Sequence, residues 1–300
     1  MCLLVYRHTL FILIYFYLHK LLSLFFIYIT DIIIYKTLGF FSTRSIIHRQ
    51  IIYDFFMSWL IFIVGAIVAG FIQGLTGFAF ALVAMSFWVW VLEPQLAAPL
   101  VVFASLWSHI ISMSSEKKSY HFHKSLILPY ILAGLIGVPL GTWLLHHIDP
   151  MTFKLFLGMF LVVWSPLMLF RPQFSIIESS GKVADSCIGF IGGILGGLGG
   201  FSGSVPSAWV MLKNLNKEKQ RYIMRHFNFA IQIFTFLAYI WQGNIQYQHF
   251  SYMAVLLIFV SIPAILGAKL FYKISEKHFK HIVLGLLFSS GCFLLLTTII

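Results

Sequence analysis

Charge is scarce in this chain: charged residues are only 10% of its 300 positions, and acidic ones number nine. Soluble globular proteins average about 25% charged residues, so a water-soluble globule is excluded. No carboxylate falls in the middle of an apolar segment. Glu93, Glu116, Asp149, Glu178, Asp185, Glu218 and Glu276 stand at segment ends or in loops, and Asp31 and Asp54 precede the main apolar region. That argues against a carboxylate proton relay or cation pump, and against an acid/base enzyme, which needs a nucleophile, base and orienting acid at one depth. Cysteine is rarer still. Cys2, Cys187 and Cys292 are isolated, which supplies neither a disulfide framework nor a C-x-x-C metal site. No metal and no cofactor are expected.

What is present is apolar: 60% of residues are hydrophobic, with 32 Phe. Such a chain presents its outer surface to lipid, and its length allows roughly six to ten crossings at about 20 residues each. The net charge of +11 follows from the enrichment of Lys and Arg in cytoplasmic loops. Nucleic acid is not an expected partner, because no basic run with interleaved stacking aromatics lies outside an apolar stretch.

Residues 1–56 form an extension: an apolar run from Leu10 to Ile29 broken by His19 and Lys20, then Lys36, Arg44 and Arg49. It lacks the small-x-small site of a cleaved signal, and Met57 immediately precedes cleaner membrane sequence, so it reads as an extra helix or as sequence ahead of the natural start. Apolar segments follow near 59–92, 95–114, 125–146, 151–170, 183–213, 222–240, 250–273 and 279–299. As continuous helices the first and fifth would span about 51 Å and about 46 Å, against a hydrocarbon core of roughly 30 Å. Neither is one simple crossing. Both break at glycines, in Gly74-Leu75-Thr76-Gly77-Phe78-Ala79 and Gly197-Leu198-Gly199-Gly200-Phe201-Ser202.

The breaks lie 123 residues apart. Downstream, Gly141, Leu144, Ile148, Phe153 and Lys154 recur 126 residues later as Gly267, Leu270, Ile274, Phe279 and Lys280. This is the signature of an internal duplication, dividing the membrane part into 57–172 and 183–300. If each broken segment enters and leaves on one side, as a re-entrant hairpin or as two short spans, the loops sort by charge. One face receives only Lys154. The other receives Lys117, Lys118, Lys124, Arg171, Lys182, Lys213, Lys217, Lys219, Arg221, Arg225, Lys269, Lys273, Lys277 and Lys280, fourteen against one. Single crossings would give a weaker split of ten to five. The positive-inside rule favours the hairpin. An odd number of crossings per half then makes the halves antiparallel. The expected fold is an all-α polytopic membrane protein of two inverted repeats, each a Gly-broken hairpin segment plus three transmembrane helices.

Broken backbone at membrane depth is tolerated only against protein or a water-filled cavity, and a half-helix that starts after a break presents N–H groups and a positive dipole end to an anion. The expected substrate-binding residues are Gln73, Gly74, Thr76, Gly77 and Phe78 from the first break, and Gly200, Ser202, Gly203, Ser204 and Pro206 from the second. The hydroxyls of Thr76, Ser202 and Ser204 suit donation to oxyanion oxygens. On the following helices Ser105 and His109, and Asn228 and Gln232, are polar i, i+4 pairs again 123 apart, each on one helix face. Glycines that serve only close packing, and polar residues that only tie helices together, are the plainer alternative. Arg221 and Arg225 are expected at a cytoplasmic mouth, concentrating anions. The expected partners are a small anionic substrate and the lipid bilayer, and a homo-oligomer is compatible with the sequence.

The run Gly70-Phe71-Ile72-Gln73-Gly74-Leu75-Thr76-Gly77-Phe78-Ala79-Phe80 resembles the first signature of the sulfite exporter TauE/SafE family of membrane permeases. Gly192 through Pro206, followed by Trp209, Gln220-Arg221 and Phe227-Asn228, is similar to its second. The likeness covers about residues 57–300, with departures at Ala79, Ser204 and Lys213-Asn214-Leu215. The resemblance implies a multi-pass protein of a bacterial inner membrane that transports, most simply exports, sulfur-containing anions such as sulfite or sulfonates, and is not an enzyme. The alternative is a membrane-anchored enzyme or assembly scaffold without transport.

Overall fold

A computed structural model of the chain describes residues 43–114, 124–170, 181–213, 215, 217–271 and 276–299. The apolar run of the extension and loop residues Glu116, Lys117, Lys118, Arg171, Glu178, Asn214 and Lys273 lie outside them. Among the described residues there are ten α-helices and no strand: α1 (Thr43–Thr76), α2 (Phe80–Trp88), α3 (Pro94–Ser114), α4 (Lys124–His147), α5 (Pro150–Phe170), α6 (Lys182–Gly199), α7 (Ser204–Leu212), α8 (Lys217–Trp241), α9 (Tyr247–Leu270) and α10 (Glu276–Ile299). Each expected apolar segment is a helix, or a helix pair where a glycine break was read. One boundary differs: α1 begins at Thr43 rather than near Trp59.

The chain divides into two compact units, Met1–Phe62 and Ile63–Ile300. In the first, the described residues are helical, and Trp59 meets Phe55 and Phe62 edge-on at ring separations of 6.2 and 5.7 Å. Among the described residues seven helical stretches are long and apolar enough to cross a bilayer: Tyr53–Thr76, Pro94–Ser114, Leu126–His147, Pro150–Leu169, Lys182–Gly199, Lys219–Trp241 and Tyr247–Leu270. The chain is a multi-pass membrane protein. The nine-residue helices α2 and α7 are too short to cross. Between α4 and α5, Asp149 caps α5, accepting the N–H groups of Met151 and Thr152 at 3.1 and 3.0 Å ahead of Pro150 at the first helical position. Hydrogen bonds from Thr152, then Met151, hold the Asp149 carboxyl below the usual carboxylate range.

Polarity runs inside out. Leu128, Leu132, Ile136 and Leu140, spaced by four along α4, are exposed, whereas Gln73, Ser105, His109, Asn228 and Gln232 are buried. Apolar side chains gain nothing by leaving lipid for one another, so association rests on close packing of small residues. The long broken helices show this. A Cβ built on Gly74 of α1 would lie 2.1 Å from Ala264 O of α9, and one on Gly267 of α9 2.0 Å from Phe71 O of α1. In the other half a Cβ on Gly197 of α6 would lie 2.4 Å from Val138 O of α4, and one on Gly141 of α4 2.0 Å from Ile194 O of α6. The two sets of partners correspond residue by residue at the offsets 123 and 126 found in the sequence. Each broken helix therefore packs against an unbroken helix from the opposite half.

Gly141→Ala and Gly267→Ala are each expected to lower the thermal midpoint and monodisperse fraction of the detergent-purified protein, at an overpacking cost of about 1–3 kcal/mol. Gly181→Ala, whose Cβ meets nothing within 4 Å, should change both little. Wild-type melting of all three variants would show that the helices do not depend on this approach.

Candidate functional site

Both breaks use one local geometry. Gly77 and Gly200 sit at φ +84° and +81°, a region that costs an L side chain but not glycine. The Gly77 N–H donates to Gln73 O at 2.7 Å and the Gly200 N–H to Gly196 O at 2.8 Å, closing α1 and α6 with left-handed glycine caps. In each case the chain then turns back. A Cβ on Gly65, midway along α1, would lie 2.7 Å from Trp88 Nε1 at the end of α2. Lys213, just after α7, reaches back to Asp185 in the first turn of α6, with Nζ 2.6 and 2.7 Å from the two carboxylate oxygens. Asp185 Oδ1 also accepts the Trp209 indole N–H and the Tyr130 hydroxyl, each at 2.8 Å. Both segments are hairpins in which a long arm is followed by a short returning arm.

The amides of the first break are taken up by side chains of its own half. The Thr76 hydroxyl donates to Ile72 O at 2.9 Å and accepts the N–H groups of Phe78 and Ala79, both at 3.3 Å. Gln73 Oε1 accepts the N–H of Phe80, the first residue of α2, at 2.9 Å. Its Nε2 lies 2.7 Å from His109 Nε2 and 3.5 Å from Ser105 Oγ, both on α3. The second break is served by the corresponding positions on α8. Ser202 donates to Asn228 Oδ1 at 2.6 Å, and Gln232 Nε2 donates to Gly200 O at 2.8 Å and lies 3.5 Å from Ser202 Oγ. Ser204 donates to Phe201 O at 2.7 Å. Pro206 is buried in α7 against Gly192. The Ser and Thr hydroxyls expected to donate to a solute thus donate to protein acceptors. Several break amides expected to be open, those of Phe78, Ala79 and Phe80, are likewise satisfied from within.

The two breaks meet. A Cβ built on Gly203 would lie 2.7 Å from Cβ of Phe78 and 2.7 Å from Asn228 Nδ2, and one on Gly200 would lie 3.4 Å from Cβ of Ala81. Arg221 and Arg225, read from the sequence as mouth residues, lie inside α8 and are only 8% and 7% exposed. Both flank the first break: the Cβ position of Gly77 is 3.6 Å from Arg221 Cγ and 3.7 Å from Arg225 Cβ. Arg221 donates to Gly74 O at 2.7 Å, and its guanidinium lies 3.8 Å from the ring centre of Phe271. A cation there complements the negative end of α1. Arg221, Arg225, Asn228 and Gln232, at i, i+4, i+7 and i+11, form one buried polar stripe along α8 that passes both breaks.

Sequence reasoning missed Phe271 beneath Arg221 and the Asp185–Lys213–Trp209–Tyr130 cluster, whose members come from α4, α6, α7 and the residue after α7. Helical spacing carries no signal for such contacts. The i, i+4, i+7, i+11 spacing of the α8 stripe did carry one.

A family model described as Sulfite exporter TauE/SafE matches residues 61–294 of the chain. Comparison with curated proteins and with solved structures returned no match.

Gln73→Leu would strip partners from the Phe80 N–H and from His109 Nε2, at about 1–3 kcal/mol for each buried group left unpaired. Its thermal midpoint in detergent is expected to fall well below that of wild type, with Gln73→Glu, which keeps the acceptor for Phe80, in between. A Leu variant as stable as wild type would mean that water replaces the side chain at no cost.

Proposed function

Because the chain belongs to the sulfite exporter TauE/SafE family, a family of membrane transporters, we propose that it moves a small sulfur-containing oxyanion, sulfite or a sulfonate, out of the cytoplasm through the place where its two hairpin breaks meet. The observation that carries the reading is the contact of Phe78 with Gly203, with the buried Arg221 and Arg225 against Gly77 beside it. Two guanidinium groups in a poorly polarisable setting draw an anion far more strongly than exposed ones do, and arginine suits oxyanions because its fork matches their geometry. On this reading the halves run antiparallel through the membrane, as the loop charges favour. The solute is bound by the α8 stripe together with Gly77, Phe78, Gly200 and Gly203. Gln73, Thr76, Ser105, Ser202, Ser204 and Pro206 hold the breaks open in the right shape. No coupling ion is required for export. With the cytoplasm negative, an anion leaves downhill by roughly 2.3 kcal/mol per charge per 100 mV.

Proteoliposomes containing the full chain are expected to pass radiolabelled sulfite, sulfate or taurine, and flux of sulfite and sulfate, which carry net negative charge where zwitterionic taurine does not, should rise with an imposed potential that drives anions outward. Gly77→Val, strained at a positive φ, and Gly203→Val, which drives a methyl group into Phe78 and Asn228, should reduce flux at least about tenfold. Absence of flux for every anion from folded wild-type protein would instead favour the anchored-scaffold alternative.

Orientation has its own test. With Cys2, Cys187 and Cys292 replaced by Ser, a cysteine at Leu215 should label from the cytoplasm and one at Ile245 from outside. Labelling of both from one side would contradict the proposed topology.

A further inference from the structure

The hydrogen bonds around the breaks define the proton positions on two buried side chains. The Phe80 N–H can only donate, so the Gln73 atom 2.9 Å from it is the amide oxygen. The other end of that amide is then the NH2 group, which donates to His109 Nε2 at 2.7 Å. A ring nitrogen that accepts carries no proton, so the proton of neutral His109 sits on Nδ1. Among the described residues that N–H is a donor with no partner, on a side chain 0% exposed. The same logic applies 123 residues later. Gly200 O can only accept, so the Gln232 atom 2.8 Å from it is Nε2, and Gln232 Oε1 is left as an acceptor without a partner among the described residues, on a side chain 2% exposed.

The equivalent positions of the two halves thus offer one unfilled donor and one unfilled acceptor. Leaving both empty is costly, since a buried polar atom without a partner has lost its solvation and gained nothing in return. A bare oxyanion answers only half of this. Its oxygens accept from His109 Nδ1, but every one of its lone pairs repels Gln232 Oε1.

We propose that His109 and Gln232 together make this site select oxyanions that also carry a hydrogen-bond donor of their own, an O–H or N–H group that reaches Gln232 Oε1 while the anionic head lies toward His109 and the arginines. The inference rests on the transport reading and narrows its substrate class. Hydrogensulfite satisfies the description where the sulfite dianion does not. Among sulfonates, those with a hydroxyl or ammonium group satisfy it where alkyl sulfonates do not.

Isethionate and ethanesulfonate differ by one hydroxyl and keep the same charge across neutral pH, which makes them the decisive pair. Binding of each to the full chain in detergent, by titration calorimetry, and flux of each in proteoliposomes are measured for wild type, Gln232→Met and Gln232→His. Wild type should bind isethionate about tenfold or more tightly than ethanesulfonate, the ratio expected for one net buried hydrogen bond. In Gln232→Met, which removes the acceptor at similar volume, the ratio should fall to about one through loss of isethionate affinity. Gln232→His, whose ring can donate to Gly200 O from one nitrogen and accept at the other, should retain a preference for isethionate. Equal affinities in wild type, no binding of either sulfonate, or a preference that survives Gln232→Met in folded protein overturns the inference. Selective binding with no flux of any anion would overturn the transport reading alone and leave the selectivity standing.

Discussion

Main-chain N–H and C=O groups left without partners cost several kcal/mol each in hydrocarbon, and no water is at hand to relieve them. Everything in the centre of this protein answers that constraint. Two glycines at positive φ end α1 and α6 and free a cluster of backbone groups, and side chains then take them up. In the first break Gln73 and Thr76 accept the N–H groups that open α2, and Arg221 donates to a carbonyl at the end of α1. In the second, Gln232 donates to Gly200 O while Asn228 receives Ser202. The breaks are tolerated because α1 and α8 supply these partners, with Ser105 and His109 of α3 beside the Gln73 amide.

Close approach in turn requires glycine. The contacts of Gly74 with Ala264 and of Gly197 with Val138 leave no room for a methyl group, and they join each broken helix to an unbroken helix of the other half. At the base of the second hairpin a carboxylate plays a related part. Asp185 gathers Lys213, Trp209 and Tyr130, tying the returning arm to the entering one and to α4. The positions 123 and 126 residues away hold Phe62, Ser86, Trp90 and Leu256, which supply no such set, so the two hairpins differ in how they are anchored. That asymmetry sits beside the other one: the arginines of the second half serve the break of the first.

Much of the plan was legible in one dimension. Apolar runs of about 20 residues mark crossings, two overlong runs with central glycines mark breaks, and the offsets of 123 and 126 link the glycine contacts of α1 with α9 to those of α6 with α4. Ser105 with His109, and Asn228 with Gln232, were readable as one-face pairs because helical spacing puts i and i+4 together, and each pair does reach a break. The roles were less legible. Thr76, Ser202 and Ser204 looked like donors awaiting a solute, yet a hydroxyl beside a broken helix end finds a carbonyl or amide of its own chain first. Arg221 and Arg225 looked like loop cations. A helix that begins at Lys217 carries them inward instead, against Gly77.

The amino-acid sequence by itself determined that this chain lives in a membrane, where its helices break, and which residues recur at the offsets 123 and 126, because these follow from hydrophobicity, glycine and spacing along the chain. Only the tertiary structure decided that the two breaks touch, that α8 lends two buried cations to the opposite half, and that His109 and Gln232 end up with one unfilled donor and one unfilled acceptor. Those facts depend on which helix lies opposite which, and on where each hydrogen bond leaves its proton. Periodicity within one helix does not encode either.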